Sequence, residues 1–399
     1  RLDPEIVRGI VTARGGPTSH AAVIARALDI PAVVGTGQRL LTLEEGTTIA
    51  IDGEAGEVRI DPPDDVVADL ERETREREER LTALRARAVE PAITVDGVAV
   101  EVAANVGKPD EVAAAIEAGA DGIGLFRTEF LFMDRDELPD EGEQEAAYRA
   151  AAEALEGRPL LVRTLDAGAD KPVAGLERDP EPNPFLGVRG IRLGLDRPEL
   201  LGAQLRALCR VAVDHPLRIM FPMVATIDEL AAARAAIERA REQTAAPDRE
   251  GPGHVEVGIM VEVPAAALLA TTLAAHCDFF SVGTNDLTQY VMAADRGNEH
   301  VAGLNDPLHP AVLRLIATTA EGAATRGRWV GVCGELAGEE LAVPLLLGLG
   351  VRELSMAAPA IAAVKHAVRS TSLADARELA SAALACATAA EVRDMLASL

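Results

Sequence analysis

Six residues, Gly15-Gly16-Pro17-Thr18-Ser19-His20, deliver a histidine from a glycine turn to the start of the short apolar segment Ala21 to Leu28. Glycine permits left-handed angles and close backbone approach. Thr18 or Ser19 can cap the first-turn amides of a helix. A helix N-terminus favours negative charge, so a histidine there is poorly suited to stay cationic and well suited to carry a phosphoryl group. Taken alone, the hexapeptide is equally a glycine turn with an incidental histidine.

The remaining candidates recur at the ends of apolar runs. Arg127 closes Gly122-Ile123-Gly124-Leu125-Phe126, Arg163 follows Leu161-Val162, Arg189 follows Phe185-Leu186-Gly187-Val188, and Arg296 sits in Asp295-Arg296-Gly297-Asn298. Any one of them, alone, reads as an ordinary surface ion pair. Several on one rim make a pocket for a small polyanion, because the guanidinium fork fits both carboxylate and phosphate. Glu262 ends Gly258-Ile259-Met260-Val261, and Asp286 follows Gly283-Thr284-Asn285. Two such acids are either unrelated rim residues or a pair that repels in a dry pocket until a hard cation sits between them. Oxygen ligands beside a phosphate point to Mg²⁺, with Mn²⁺ as the second choice. Cys333, in Val332-Cys333-Gly334-Glu335, is alone a small buried hydrophobe. At a strand end it becomes a candidate acid or nucleophile, according to its pKa. His276 and His366 read as structural, and His309 is assigned no role.

These residues need a scaffold. From about residue 92 the candidate strands are Val100–Val106, Gly122–Phe126, Leu160–Leu165, Arg218–Met223, Val257–Val263, Phe279–Gly283, Trp329–Gly334 and Arg352–Met356. Ala-rich helical stretches such as Glu111–Ala118, Asp228–Gln243 and Ala265–Ala275 intervene. Eight strands alternating with helices predict a (β/α)8 TIM barrel, whose C-terminal strand ends form the active site. Residues 1–62 read as a small α/β unit. In it Ile6–Thr12 and Ile30–Gly35 are strand-like, and Thr47–Asp52 and Glu57–Ile60 form a hairpin. Sixty residues is few for an independent core, and the chain opens on Arg1, so a domain lacking its N-terminal part is expected. Pro62-Pro63 breaks the chain, and Asp64 to Ala88 is a charged, solvated helix within a linker of residues 63–91. The barrel takes residues 92–399.

The chain has 399 residues with 64 acidic and 39 basic side chains, a net charge of −25. That balance argues against binding nucleic acid or an anionic membrane. Four scattered cysteines form no CxxC pair, so neither a disulfide framework nor a zinc site is indicated, and a cytoplasmic location is expected. Nothing in the sequence approaches a membrane span or a signal peptide. With aromatics at 3%, the core must be built from Ala, Val, Leu and Ile.

Taken together, Gly15–Gly35, Gly122–Phe132, Arg163–Lys171, Asn183–Arg192, Gly258–Pro264, Phe279–Asn298 and Gly331–Gly338 resemble, in order, the PEP-utilising enzymes. These move phosphate from phosphoenolpyruvate through a histidine on a swivelling domain. Arg163-Thr164-Leu165-Asp166-Ala167-Gly168-Ala169-Asp170-Lys171 and Gly124 to Leu131 resemble most the Enzyme I branch of the sugar phosphotransferase system. The resemblance implies that His20 accepts the phosphoryl group, and that Arg127, Arg163 and Arg296, helped by Lys171 and Asn285, grip the substrate. It makes Arg189 a further active-site arginine, Glu262 and Asp286 the Mg²⁺ ligands, and Cys333 the acid that protonates the methylene carbon of enolpyruvate. It also implies relay to the phosphocarrier HPr, whose binding domain in that branch has no counterpart here, and a homodimer through the barrel. A module of a pyruvate phosphate dikinase or phosphoenolpyruvate synthase is the alternative of the same class. A non-catalytic sensor of phosphoenolpyruvate or pyruvate is the alternative of a different class.

Overall fold

The computed structural model describes residues 6–15, 25, 30–53, 56–133, 135–168, 181–245, 255–298 and 300–399. The chain divides into two compact units, one of residues 1–87 with 292–305, the other of 88–291 with 306–399.

In the first unit, β1 (Ile10–Val11) pairs in parallel with β2 (Ala32–Val33). The hairpin of β3 (Ile49–Asp52) and β4 (Glu57–Ile60) follows, with Ile49 opposite Ile60. The strand expected over Ile6–Thr12 shortens to two residues, and Ile6 is an exposed turn residue. Pro63 precedes the helix Asp64–Ala86, in which only Leu84 is buried. That helix has acids in its first turn and an arginine in its last, the order the helix dipole favours.

The second unit is a closed eight-stranded parallel barrel. Its strands are β5 (Glu101–Val106), β6 (Ile123–Arg127), β7 (Leu160–Arg163), β8 (Leu217–Phe221), β9 (Glu256–Val261), β10 (Phe279–Val282), β11 (Trp329–Val332) and β12 (Glu353–Met356), and β12 pairs with β5 to close it. All eight strands expected from the sequence are present, displaced at their ends by one or two residues. The fourth stops early for a physical reason: Pro222 has no N–H for the ladder, and Met223 adopts φ 58°. The helix expected over Ala265–Ala275 is broken at Leu269 into Pro264–Leu268 and Ala270–Leu273, where Thr271 and Thr272 form a β-branched pair of low helix propensity. The helices Glu141–Ala154 and Ile227–Thr244 open on capping boxes, Asp140 with Glu143 and Thr226 with Glu229. His309 caps the helix Pro310–Ala324, accepting the Ala311 N–H at 3.2 Å. Among the described residues no helix is long and apolar enough to cross a membrane.

Toward the N-terminal end of the barrel three cross-strand pairs meet. Arg218 lies opposite Glu256, Glu353 opposite Glu101, and Phe279 opposite Trp329. The two rings stack at 4.6 Å, and the Arg218 guanidinium lies 4.9 Å over the indole. One guanidinium serves three carboxylates: Glu101 at 2.8 Å, Glu256 at 2.9 Å and Glu353 at 3.3 Å. Glu353 is wholly buried, and its Oε1 has no hydrogen-bond partner among the described residues. Gly124 and Gly331 make room for it, since a Cβ on either would meet Oε1 within 3.1 Å. Burial first, then the charge of Glu101, holds its carboxyl well above the usual range. A group whose pKa rises on folding binds its proton more tightly in the folded chain. Its contribution is therefore complete below the unfolded carboxylate pKa and is lost as pH rises through the raised value. Glu353→Gln imitates the protonated form. We expect it to raise the urea midpoint at pH 8 and to flatten the decline in stability between pH 5 and 8. An unchanged or lowered midpoint at pH 8 would show that Glu353 is ionised in the folded barrel.

Candidate active site

The opposite rim collects the charged side chains. Arg127 and Arg163 are the last residues of β6 and β7, Glu262 follows β9 directly, and Cys333 follows β11. Asp286 stands in the first turn of the helix Thr284–Met292, which follows β10. These strands end here because each buried apolar run meets a residue that cannot remain in the core without a partner.

Arg163 is buried, with Nη2 on Glu129 Oε1 at 2.8 Å and Nη1 3.4 Å from Asp166 Oδ2. Arg189, 1% exposed, binds Asp166 through two nitrogens, Nε to Oδ1 at 3.2 Å and Nη2 to Oδ2 at 2.8 Å. Its Nη1 lies 3.4 Å from the Tyr290 hydroxyl and 3.6 Å from Asp286 Oδ1. Tyr290 in turn donates to the Phe185 carbonyl. Burial would depress both arginines, but the carboxylates around them outweigh it and hold both above the usual value. Arg127 differs. Its side chain is exposed at the mouth, yet desolvation by the surrounding wall, and then the charge of Arg163, hold it below the usual value. It faces the mouth as a cation short of counter-charge, which suits an anionic ligand.

Glu262 is wholly buried. Its Oε1 accepts the Met223 N–H at 2.6 Å, while Oε2 has no hydrogen-bond partner among the described residues. Met223 presents that N–H from a left-handed backbone, a conformation that costs a side-chain-bearing residue on the order of 1–3 kcal/mol. Gly190 faces it at φ 58°, where a Cβ would come within 2.9 Å of Met223 Cβ. Burial first, then Asp166 and Asp286, push the Glu262 carboxyl up to about 8. A buried carboxylate oxygen with no partner, beside a second carboxylate, fits a divalent cation completed by oxygens from water or substrate. Among the described residues no three His, Cys, Asp or Glu side chains form a ready-made cage.

Cys333 lies 3% exposed, in one apolar cluster with Leu125, Leu161, Met220, Met260 and Phe279. Burial pushes its thiol up to about 11, so at neutral pH the sulfur keeps its proton. That state suits an acid rather than a nucleophile. Asn285 Oδ1 accepts the Glu335 N–H at 3.1 Å, which turns its amide N–H groups elsewhere.

The structure therefore brings Arg127, Arg163, Arg189, Glu262, Asp286, Asn285 and Cys333 to one end of the barrel. Arg296 lies in residues 292–305, which group with the first unit. His20 and Lys171 lie outside the described residues. Sequence reasoning assigned nothing to Glu129, Asp166, Met223 or Tyr290. Asp166 follows Arg163 by three residues and folds back onto it, whereas Glu129 follows Arg127 by two and pairs instead with Arg163.

Residues 82–373 match the family described as PEP-utilising enzyme, PEP-binding domain, and residues 2–56 match PEP-utilising enzyme, mobile domain. A multiphosphoryl transfer protein of Rhodobacter capsulatus is 50% identical over 402 residues, covering 99% of this chain and 47% of its own length. A phosphoenolpyruvate-protein phosphotransferase of Staphylococcus carnosus is 48% identical over 398 residues, covering 99% of this chain and 69% of its own. One of Haloferax volcanii is 50% identical over 408 residues, with the same two shares. The chain thus spans about half of the first relative and about two thirds of the other two.

Asp166 is the shared counter-ion of Arg163 and Arg189, and all three are buried. Removing one partner of a buried ion pair costs about 3–5 kcal/mol. Asp166→Asn should lower stability by that order in urea titration, well beyond the cost of substituting an exposed acid such as Glu79. A loss under about 1 kcal/mol would mean that the arginines find other counter-charges.

Proposed function

The chain belongs to the PEP-utilising enzymes, and from that membership we propose that it takes the phosphoryl group of phosphoenolpyruvate onto His20 and releases pyruvate. The observation that carries this reading is the grouping at one barrel mouth of cationic Arg127 and Arg163, the acid pair Glu262 and Asp286, and the protonated thiol of Cys333. The match of residues 2–56 to a mobile domain supports His20 as the acceptor.

Phosphoenolpyruvate is a small trianion. Arg127 and Arg163 bind its phosphate and carboxylate, with Asn285 Nδ2, Lys171 and Arg296 as further ligands. Arg189 acts behind them, holding Asp286 and Asp166 in place. Glu262 Oε2 and the Asp286 carboxylate would hold Mg²⁺, or Mn²⁺ in its stead, which when bound neutralises charge on phosphate and enolate oxygens. His20 Nε2 attacks phosphorus, the bond from phosphorus to the enol oxygen breaks, and the electron pair stays on oxygen. As the carbonyl forms, the methylene carbon takes the proton of the Cys333 thiol, and solvent later reprotonates the sulfur. A thiol protonated at neutral pH suits that task.

The reading extends to the organisation of the chain. Residues 1–62 form the swivelling phosphohistidine domain, 63–91 the linker, and 92–399 the substrate barrel. HPr is the acceptor in the phosphotransferase branch, with a cytoplasmic location and a homodimer through the barrel. The R. capsulatus relative, about twice this length, is also compatible with such a module fused to others.

Incubation with labelled phosphoenolpyruvate and Mg²⁺ should place acid-labile, base-stable phosphate on the chain, and His20→Ala should abolish it. Label that survives His20→Ala sinks the assignment of the acceptor. Mn²⁺ binding, read by water-proton relaxation, should weaken at least tenfold in Glu262→Gln, while the melting temperature holds because the amide keeps an acceptor for the Met223 N–H. Unchanged Mn²⁺ affinity would remove Glu262 from the metal site.

A further inference from the structure

We propose that Asn105 is a positioning residue for Cys333, holding the peptide that aims the thiol at the carbon to be protonated; this rests on the proposed role of Cys333 as proton donor.

Cys333 is the first residue beyond β11 and is only half inside the ladder. Its N–H still bonds the Val282 carbonyl of β10 at 3.0 Å. On the other side β11 pairs with β12 only through Gly331 and Val332, so the Cys333 carbonyl has run out of strand partners. Asn105, near the end of β5, supplies the missing donor from two strands away: its Nδ2 bonds Cys333 O at 3.0 Å. The same nitrogen bonds Ser355 O at 3.2 Å, and Oδ1 accepts the Ser355 Oγ–H at 2.6 Å. Two carbonyls on one side and a hydroxyl on the other leave the amide one orientation. Asn105 therefore ties together the ends of β5, β11 and β12 at the one peptide that carries the thiol.

The next residues are fixed as tightly from the opposite side. A Cβ at Gly334 would collide with Thr284 Oγ1, and the Glu335 N–H is bonded to Asn285. The Cys333 peptide is thus clamped between β10 on one flank and Asn105 on the other. Only the Asn105 flank depends on a single side chain. The amide does no chemistry itself and has no proton to give at neutral pH, so its effect on turnover must pass through the thiol.

A double-mutant cycle separates positioning from general support of the fold. The rate of pyruvate formation from phosphoenolpyruvate is measured on the whole chain with Mg²⁺, alongside the dissociation constant for phosphoenolpyruvate and the melting temperature. Asn105→Ala should slow pyruvate formation roughly tenfold to a hundredfold, as expected for a displaced reacting group, with phosphoenolpyruvate affinity unchanged. In a Cys333→Ala background it should cost nothing further. Asn105→Asp keeps the size of the side chain and the acceptor for Ser355 but turns an oxygen instead of a donor toward the two carbonyls, so it should reproduce the loss when assayed below its melting temperature, which that repulsion lowers; it serves should Asn105→Ala not fold. A wild-type rate in Asn105→Asp, or an equal fold-loss with and without Cys333, would overturn the proposal. A wild-type rate in Cys333→Ala would instead overturn the role of the thiol on which it rests.

Discussion

Buried carboxylates hold the barrel mouth together only because two arginines are buried with them, and Asp166 is the group that keeps both arginines there. Its carboxylate meets Arg189 through two nitrogens and lies within ion-pair distance of Arg163. Its backbone N–H is fixed in turn on Glu129, the acid that holds the far side of Arg163. Without this bridge the mouth would contain unbalanced charge of both signs, the costliest condition a protein interior can hold. With it, Arg189 is saturated and has the character of a strut rather than a ligand. Arg127 is left with less local neutralisation than Arg163 or Arg189, and it stands exposed at the rim.

The two ends of the barrel solve one electrostatic problem with different counter-charges. At the base, Arg218 faces three glutamates, and Glu353 is left with a buried oxygen to which none of the described residues donates. There Phe279 and Trp329 stack on one another beside the guanidinium, and a proton is the smallest neutraliser for the buried oxygen. At the mouth, Glu262 has the same orphaned oxygen, but a second carboxylate, an accessible rim and a strained N–H donor at Met223 accompany it. A divalent cation with water and substrate oxygens can be accommodated there and not at the base. The same residue type, equally buried, thus meets different surroundings at the two ends, and on the proposed reading that difference would make Glu353 a proton carrier and Glu262 a metal ligand.

The barrel was legible because its strands are runs such as Val257-Gly258-Ile259-Met260-Val261, buried on both faces, with punctuation at each end. Strand ends were read one or two residues too long where the ladder fails for reasons of local backbone, as at Pro222 and Met223. Side chains directed at a ligand were legible too, since a charged residue closing an apolar run is conspicuous. Side chains directed at other side chains were not. Glu129, Asp166 and Tyr290 act on Arg163 and Arg189. Asn105 reaches a carbonyl 228 residues along the chain, and only barrel closure brings the two together. No spacing rule within one segment can expose such a pairing. The short strands of the first unit were over-read for the opposite reason: Ile6 has β-propensity but stands 77% exposed in the structure as described.

The placement of the thiol follows from the same electrostatics. A carboxyl at that point would add another negative charge to a mouth already carrying Glu262, Asp286, Asp166 and Glu129. An imidazole facing Arg163 would be held neutral and would lack a proton to give. A thiol carries no charge while it waits, and its burial among Leu125, Leu161, Met220 and Met260 keeps the proton on sulfur at neutral pH. Were the proton given up, as the proposed mechanism requires, the charge of Arg163 would favour the thiolate. Under the proposed mechanism the arginine that would bind the substrate would also moderate the cost of spending the proton, and only while the peptide at Cys333 keeps the sulfur on that side of the barrel.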